Sequence, residues 1–342
     1  MRFEENVFKT YLEQLIHIDS VSGFHEEIQK YIEDVLNKLR IPYDVYYKGG
    51  IVAHVDGSGS KAAILAHIDT IGMMVRDINS DGTLEVCPIG GLCPVYEVNG
   101  DVVIHSLGGQ NFTGTIQKKN SSTHLMNSTE IFRVDPSDCI VRLDEPVFSH
   151  SDTTALGIRV GDMIAPVPRF QYTKDGYMKS RFLDDKASAA VLLAILHNIA
   201  KNQTAVRKTD FYFTAFEETG HGAALLPEDV KDVIVLEIAV MGKSQASNER
   251  QVSIYPKFGS FPSNRVLLKQ MIDCAEKNKI PYNLDLLLSG GNDANSAIVA
   301  GKDVRHCALG FGTLASHGYE RTHIDGGRAT YDLVYHWIAQ SL

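Results

Sequence analysis

Apolar residues recur at helical spacing through residues 6 to 40, for example at Ile28, Tyr31, Ile32, Val35 and Leu36, and predict two amphipathic helices around a break at Ser20 to Gly23. The period then shortens. Tyr43 to Tyr47 and Ile51 to Val55 read as strands around Gly49-Gly50, followed by a turn at Gly57 to Ser60. Lys61 to Ile68, KAAILAHI, is the continuous apolar run expected of a strand buried on both faces of a sheet, and it leads into His67 and Asp69.

From about Met74 the pattern changes to short stretches punctuated by glycine, asparagine and proline: GTLEVCPIGG, VNGDVVIHSLGG, FTGTIQK, IFRVD and ALGIRVGDMIAPVP. Strands at such spacing predict a small barrel or sandwich. After Tyr172 the βα alternation resumes. A strongly apolar helix runs to Ala200, strands follow at Asp210 to Phe216 and Asp232 to Val240, and helices are expected at about Arg265 to Asn278 and after Asp293. A last strand is expected at Asp303 to Phe311. The pattern predicts an α/β domain from residues 1–74 and 170–342, interrupted by a β-barrel domain at 75–169.

The helix after Tyr172 begins SRFLDDKASAAVLLAILHNIA, with Asp184 and Asp185 at its mouth. One acid there is accounted for by helix capping and the dipole. A second adjacent acid points to a carboxylate that bridges metal ions, with a partner behind it. Other polar groups stand where apolar strands end: His67 and Asp69, Glu217 and Glu218 after FYFTAF, and His317 and Glu320 after the last strand. Glu237 lies inside VIVLEIAV, where a carboxylate costs several kcal/mol unless it is paired or bound to a cation. Ligand sites of open α/β sheets form at the carboxyl ends of strands, so these groups can converge. Histidines and carboxylates together suit divalent ions that favour oxygen and nitrogen, namely Zn, Co or Mn. His105, His124 and His150 fall in no ligand spacing and read as surface or cleft residues.

Composition narrows the partners. The 342 residues, 44% hydrophobic, suffice for two domains, and the net charge of -9 includes no basic run to neutralise a phosphate backbone, which argues against nucleic acid. No apolar run is long enough to span a bilayer, and the first residues are charged and helical in pattern, so no membrane association and a cytoplasmic location are expected. Cys87, Cys93, Cys139, Cys274 and Cys307 form no C-x-x-C pair, so neither a disulfide framework nor a structural zinc site is expected.

AHIDTIGMMV, SRFLDDKAS, TAFEETGHGAA and SGGNDANSAIVAG resemble successive signatures of the M42 family of dinuclear metalloaminopeptidases, along essentially the whole chain. The resemblance implies a zinc-peptidase-like fold with an inserted barrel and two divalent ions per subunit. It implies that His67, Asp184 and Glu237 hold one ion and that Asp184, Glu218 and His317 hold the other, with Asp184 as the bridge. Asp69 would orient His67, Asp185 would support the bridging carboxylate, and Glu217 would be the general base for hydrolysis of short peptides. Dimers assembling into larger complexes are implied as well. The sequence departs from the family pattern at Thr70, where an acid is usual, at Lys186, where arginine is common, and at Glu237, where aspartate is typical. The last motif reads SHGYERTHIDGG, which leaves both His317 and His323 as candidates for the final ligand. A carboxypeptidase or N-acyl deacylase of a related family is the nearest rival. A scaffold that kept the fold predicts loss of the base, and a polysaccharide hydrolase would not need the histidines.

Overall fold

A computed structural model of the chain describes residues 2–125, 138–203, 206–224 and 226–339. It divides into two units, Met1–Asp69 with Arg169–Leu342, and Thr70–Pro168.

The first unit is built on a mixed sheet. Its strand order is Tyr43–Val45, Ile51–Val55, Arg207–Thr214, Ser58–His67, Asp232–Val240, Arg305–Thr313, Val252–Phe258 and Phe261–Pro262, and Tyr282–Leu287 also pairs with Val252–Phe258. The four strands from Arg207–Thr214 to Arg305–Thr313 run parallel, with His67 opposite Thr214, Val235 opposite Leu65 and Glu237 opposite Gly310. Apart from the first positions of Ser58–His67, they are buried along almost their whole length, which is why they read as unbroken apolar runs. The Leu183–Asn202 helix packs on Ser58–His67 and Asp232–Val240 and is itself covered by the Glu5–Ile16 and Ile324–Ala339 helices. It is buried on nearly every face, as its all-round apolar sequence requires.

Most predicted elements are present, with helices at Glu5–Ile16 and Glu26–Leu39 around the expected break. The turn expected at Gly57 to Ser60 is a difference. Ser58–His67 is already strand at Ser58, which pairs with Arg207, so only Asp56 and Gly57 make the corner. The exposed Gly-Ser composition of these first positions resembles a turn because this end of the strand extends beyond the core. The Ile324–Ala339 helix gave no sequence signal, because Gly326 and Gly327 stand in its first turn. A Cβ at Gly326 would lie 2.6 Å from the Glu249 carbonyl oxygen and 2.8 Å from Phe311 Cβ, so close packing requires the glycine that hides the helix.

The second unit is a closed barrel of Gly72–Ile78, Leu84–Ile89, Cys139–Leu143, Asn111–Lys118, Asp101–His105 and Met163–Pro166. Alternate residues such as Val102, Ile104, Phe112 and Ile116 fill its interior. Its buried Asp162 accepts hydrogen bonds from the Leu107 and Arg159 amides at 2.8 and 2.9 Å, so this acid is satisfied by its own loops. The IFRVD stretch, expected as a strand, lies outside the described residues. Among the described residues no helix is long and apolar enough to cross a membrane.

Candidate functional site

Because the four parallel strands are neighbours, groups far apart in sequence leave the sheet at one end. His67 is the last residue of its strand, Glu217 and Glu218 follow Thr214 on one side, Glu237 stands in the strand on the other side, and His317 follows the next strand. Asp184 and Asp185 come from the start of the Leu183–Asn202 helix, where their backbone is not yet helical and the peptide between them is cis. Regular helix begins after them, so they occupy the turn that their sequence suggested.

Sharp backbone turns aim these groups. Phe182, Phe216, Ala315 and His317 all have positive φ, between 57° and 70°, beside or within the acid- and histidine-bearing turns. Such conformations are unfavourable for residues with a Cβ and persist where the surroundings hold them. Phe216 is held by its ring, which lies 4.9 Å from the His221 ring in a stack and 5.6 Å from the edge-on His25 ring.

Distances bring six of the predicted residues together. His67 Nε2 lies 3.3 Å from Asp184 Oδ1 and 3.8 Å from Glu217 Oε2. His317 Nε2 lies 3.6 Å from Asp184 Oδ2 and 3.6 Å from Glu218 Oε2, so the two oxygens of Asp184 face different imidazoles. Donor atoms of His67, Asp184 and Glu218 lie within 4.8 Å of one another, as do those of His67, Glu217 and Glu237. His67 Nδ1 donates to the Asp69 carbonyl oxygen at 2.9 Å, so Nε2 is the ring nitrogen directed at the cluster.

His323 does not join them. Its Nε2 donates to the Asp175 carbonyl at 2.7 Å and its Nδ1 accepts from the Asp325 amide at 3.1 Å, so main-chain groups occupy both ring nitrogens. Asp69 differs from expectation in how it acts. It reaches the His67 ring through its main-chain oxygen, while its carboxylate accepts from the Glu217 amide at 3.1 Å, the Glu218 amide at 3.3 Å and the Ser22 hydroxyl at 2.5 Å. Asp185 accepts from the His67 amide at 3.3 Å, a contact to the main chain of the histidine.

Three further buried groups surround the cluster. Glu320 accepts from the Asp184 amide and the His317 amide, both at 3.1 Å, and so holds two converging segments with one carboxylate. Asp293 accepts from the Ala223 amide at 2.9 Å and from the Thr214 hydroxyl, bracing the Glu217–Glu218 loop from behind. Lys186 donates to the Ile18 carbonyl at 2.6 Å, and burial pulls its pKa down to about 7 against the nearby Asp19 and Asp69 charges. Sequence reasoning missed the parts played by Ser22 and Asp293, which stand in a turn and a helix start with no local signal for their distant partners.

The electrostatics describe a site short of positive charge. Burial raises the pKa of Glu217, Glu218 and Glu237 well above the ordinary carboxylate value. The neighbouring acids add to this, with Asp184 acting on Glu218, and Glu217 and Asp185 acting on Glu237. Burial opposes the charge of His67 too, but the Asp184 hydrogen bond and the Glu217, Asp69 and Asp185 charges raise its pKa well above normal. Glu237 Oε1 and Asp185 Oδ1 are buried and lack a hydrogen-bond partner among the described residues. Orphaned carboxylate oxygens beside inward-facing imidazole nitrogens suit a divalent cation.

The model of the M42 glutamyl aminopeptidase family matches residues 49–333. The chain belongs to the M42 family. YhfE of Bacillus subtilis (strain 168), whose own name as an aminopeptidase is provisional, is 35% identical over 96% of each chain. Among solved structures, the TET aminopeptidase of the marine sediment archaeon Thaumarchaeota archaeon SCGC AB-539-E09 superposes with a TM-score of 0.89 at 20% identity, covering 97% of each chain. The TET1 peptidase of Pyrococcus horikoshii, which can assemble into a tetrahedron or a large octahedral shell, gives 0.86 at 20% identity over 97% of this chain and 99% of the other. These likenesses establish the zinc-peptidase-like fold with its barrel. M42 membership makes the chain a peptide hydrolase of an aminopeptidase family whose members depend on metal.

Proposed function

We propose that the chain is a dinuclear metalloaminopeptidase acting on short peptides with a free N-terminus. The observation that supports this most is Asp184, whose two oxygens face His67 and His317 separately, as a carboxylate shared by two ions would. His67, Asp184 and Glu237 would hold one ion and Asp184, Glu218 and His317 the other, an oxygen and nitrogen set suited to Zn, Co or Mn. When bound, such ions supply polarisation of the peptide carbonyl and activation of water.

Glu217 then acts as the base. Its carboxylate is near His67 and its amide is anchored on Asp69, so it can take a proton from water and return it to the departing amine. Glu237 and Glu218 present carboxylates that can pair with the substrate ammonium group, fixing the peptide terminus beside the reacting carbonyl. The Thr70–Pro168 unit contains none of these groups and is assigned to assembly and substrate enclosure in a homo-oligomer of dimers, by analogy with the shell-forming TET1 peptidase.

Matched dipeptides with free and acetylated N-termini, assayed with and without a chelator, test this reading. Turnover should require metal and should be about 10- to 100-fold faster for the free amine, because acetylation removes the ammonium partner of a desolvated carboxylate. Faster cleavage of the acetylated form would transfer the assignment to a deacylase, which the glutamate at 237 accommodates as well.

A further inference from the structure

We propose that Ser22 is a positioning residue that sets the general base, taking Glu217 as that base, and acts through Asp69. The Asp69 side chain is fully buried, and its carboxylate does not receive the His67 ring proton. Oδ1 takes the Glu217 amide at 3.1 Å, and Oδ2 takes the Glu218 amide at 3.3 Å and the Ser22 hydroxyl at 2.5 Å. The carboxylate is thus the seat of the Glu217–Glu218 main chain, and Ser22 is the one side chain among these three donors. Without that proton, the longer Glu218 bond alone would fix Oδ2, and the carboxylate could rotate away from both amides.

Ser22 is itself held in place. It lies in the Val21 to Phe24 turn, closed by the Phe24 amide on the Val21 carbonyl at 2.6 Å, with Gly23 at φ 93°, where a side chain would be strained. Two residues earlier, Ser20 donates to the Ile68 carbonyl at 2.7 Å, and Lys186 donates to the Ile18 carbonyl at 2.6 Å. Residues 18 to 22 therefore fasten the connection between the first two helices onto the strand end that carries Asp69 and onto the helix that follows Asp184 and Asp185.

The same connection reaches the base from its other side. His25 packs edge-on against Phe216, the left-handed residue immediately before Glu217. Glu217 is held between Phe216, which His25 supports, and Asp69, which Ser22 supports. A base must stand within hydrogen-bond reach of the proton it takes, and a displacement of about 1 Å can cost about 100-fold in rate. Ser22 should thus govern turnover more than substrate affinity.

The test measures kcat, KM, metal content and melting temperature for Ser22→Ala, Ser22→Cys and Ser22→Thr, with Ser22→Ala also placed in a Glu217→Gln background. Loss of the donor in Ser22→Ala should lower kcat about 10- to 100-fold with KM within about twofold and full metal content. Ser22→Cys, close to serine in size but a weak donor, should fall similarly and carries the test if the alanine variant does not fold. Ser22→Thr, which keeps the hydroxyl, should recover most of the loss. In the Glu217→Gln background, Ser22→Ala should change the residual turnover less than about threefold, because the group it positions is already gone. Wild-type kcat in both donor-deficient variants, or an equal loss in both backgrounds, would overturn the role of Ser22. Unchanged turnover in Glu217→Gln alone would instead overturn the choice of base.

Discussion

Asp232 and Glu237 stand on one strand, are both buried, and are stabilised in opposite ways. Asp232, at the start, receives Arg207 Nη2 at 2.5 Å and Arg305 Nε at 2.6 Å, and the Arg207 guanidinium lies 4.7 Å from the Trp337 ring centre. Glu237, towards the other end, has an oxygen without a partner among the described residues and acids as neighbours. Where the chain supplies the counter-charge, a buried acid fastens strands together. Where it does not, the acid is suited to a cation. Burial of charge occurs at both ends of this sheet, and only the charge balance separates a fastening from a site.

Removing Asp184 should give the largest effect at the cation-seeking end. Asp184→Ala takes a donor from both proposed ions, so activity should vanish and metal analysis should show loss at both positions; two ions retained per chain would remove Asp184 from the bridge. Glu217→Gln keeps the shape without the basic group, and turnover should fall about 100- to 10,000-fold with metal content near normal. Unchanged metal content separates this base from a ligand, a distinction that matters because Glu217 lies with His67 and Glu237 in one of the two donor groups.

Stability measurements sharpen the contrast along the strand. Asp232→Ala leaves the buried Arg207 without a counter-charge, its remaining hydrogen bonds going to Ser60, and should cost about 3 to 5 kcal/mol in urea unfolding, with or without chelator. Glu237→Gln should stabilise the metal-free protein by about 1 kcal/mol or more, because a neutral amide avoids the cost of burying a carboxylate or of taking up a proton to neutralise it. With metal at about 100 times its dissociation constant, the wild type should gain about 2.7 kcal/mol per site, and the glutamine variant should gain less. A glutamine variant destabilised equally in both conditions would mean that Glu237 is a fastening like Asp232.

The smallest expected effect is on pH dependence without metal. Burial pushes Asp293 up to about 6 and raises Glu217, Glu218 and Glu237 well above 4.5, so the folded protein holds protons that the unfolded chain has released. Their contribution is complete below the unfolded carboxylate values and is lost as pH rises through the folded ones. His67, raised above 6.5, acts in the same direction. In chelator, the melting temperature should therefore be higher near pH 5.5 than near pH 7, and metal should weaken this slope. A metal-free melting temperature that rises with pH across this interval would contradict the charge deficit.

The sequence makes the cluster legible where polar residues interrupt apolar runs, since His67 and Glu237 have no structural reason to be there. It is silent on which distant groups pair. The Asp69 carboxylate serves the Glu217 and Glu218 amides and the Ser22 hydroxyl, and Asp293 meets Thr214 across the sheet end. Periodicity encodes which face of an element is buried, whereas these bonds depend on which elements become neighbours. The choice between His317 and His323 was open for the same reason, because strand pairing and the Asp175 loop decide which ring is occupied by backbone. At Ile324–Ala339 the close approach of Glu249 and Phe311 requires Gly326, one of the two glycines that hide a helix.

Glu320, which ties the amides of Asp184 and His317, would also determine when the proposed centre can form. During synthesis His67, Asp184, Glu218 and Glu237 leave the ribosome first, and at about 5 to 20 residues per second the chain needs several more seconds to reach Glu320. Until then one histidine and the anchor of the shared carboxylate are missing. On the proposed assignment, the nascent chain would carry most of the donor groups before the segment that bears His317 and Glu320 exists, and folding of that segment would complete the centre.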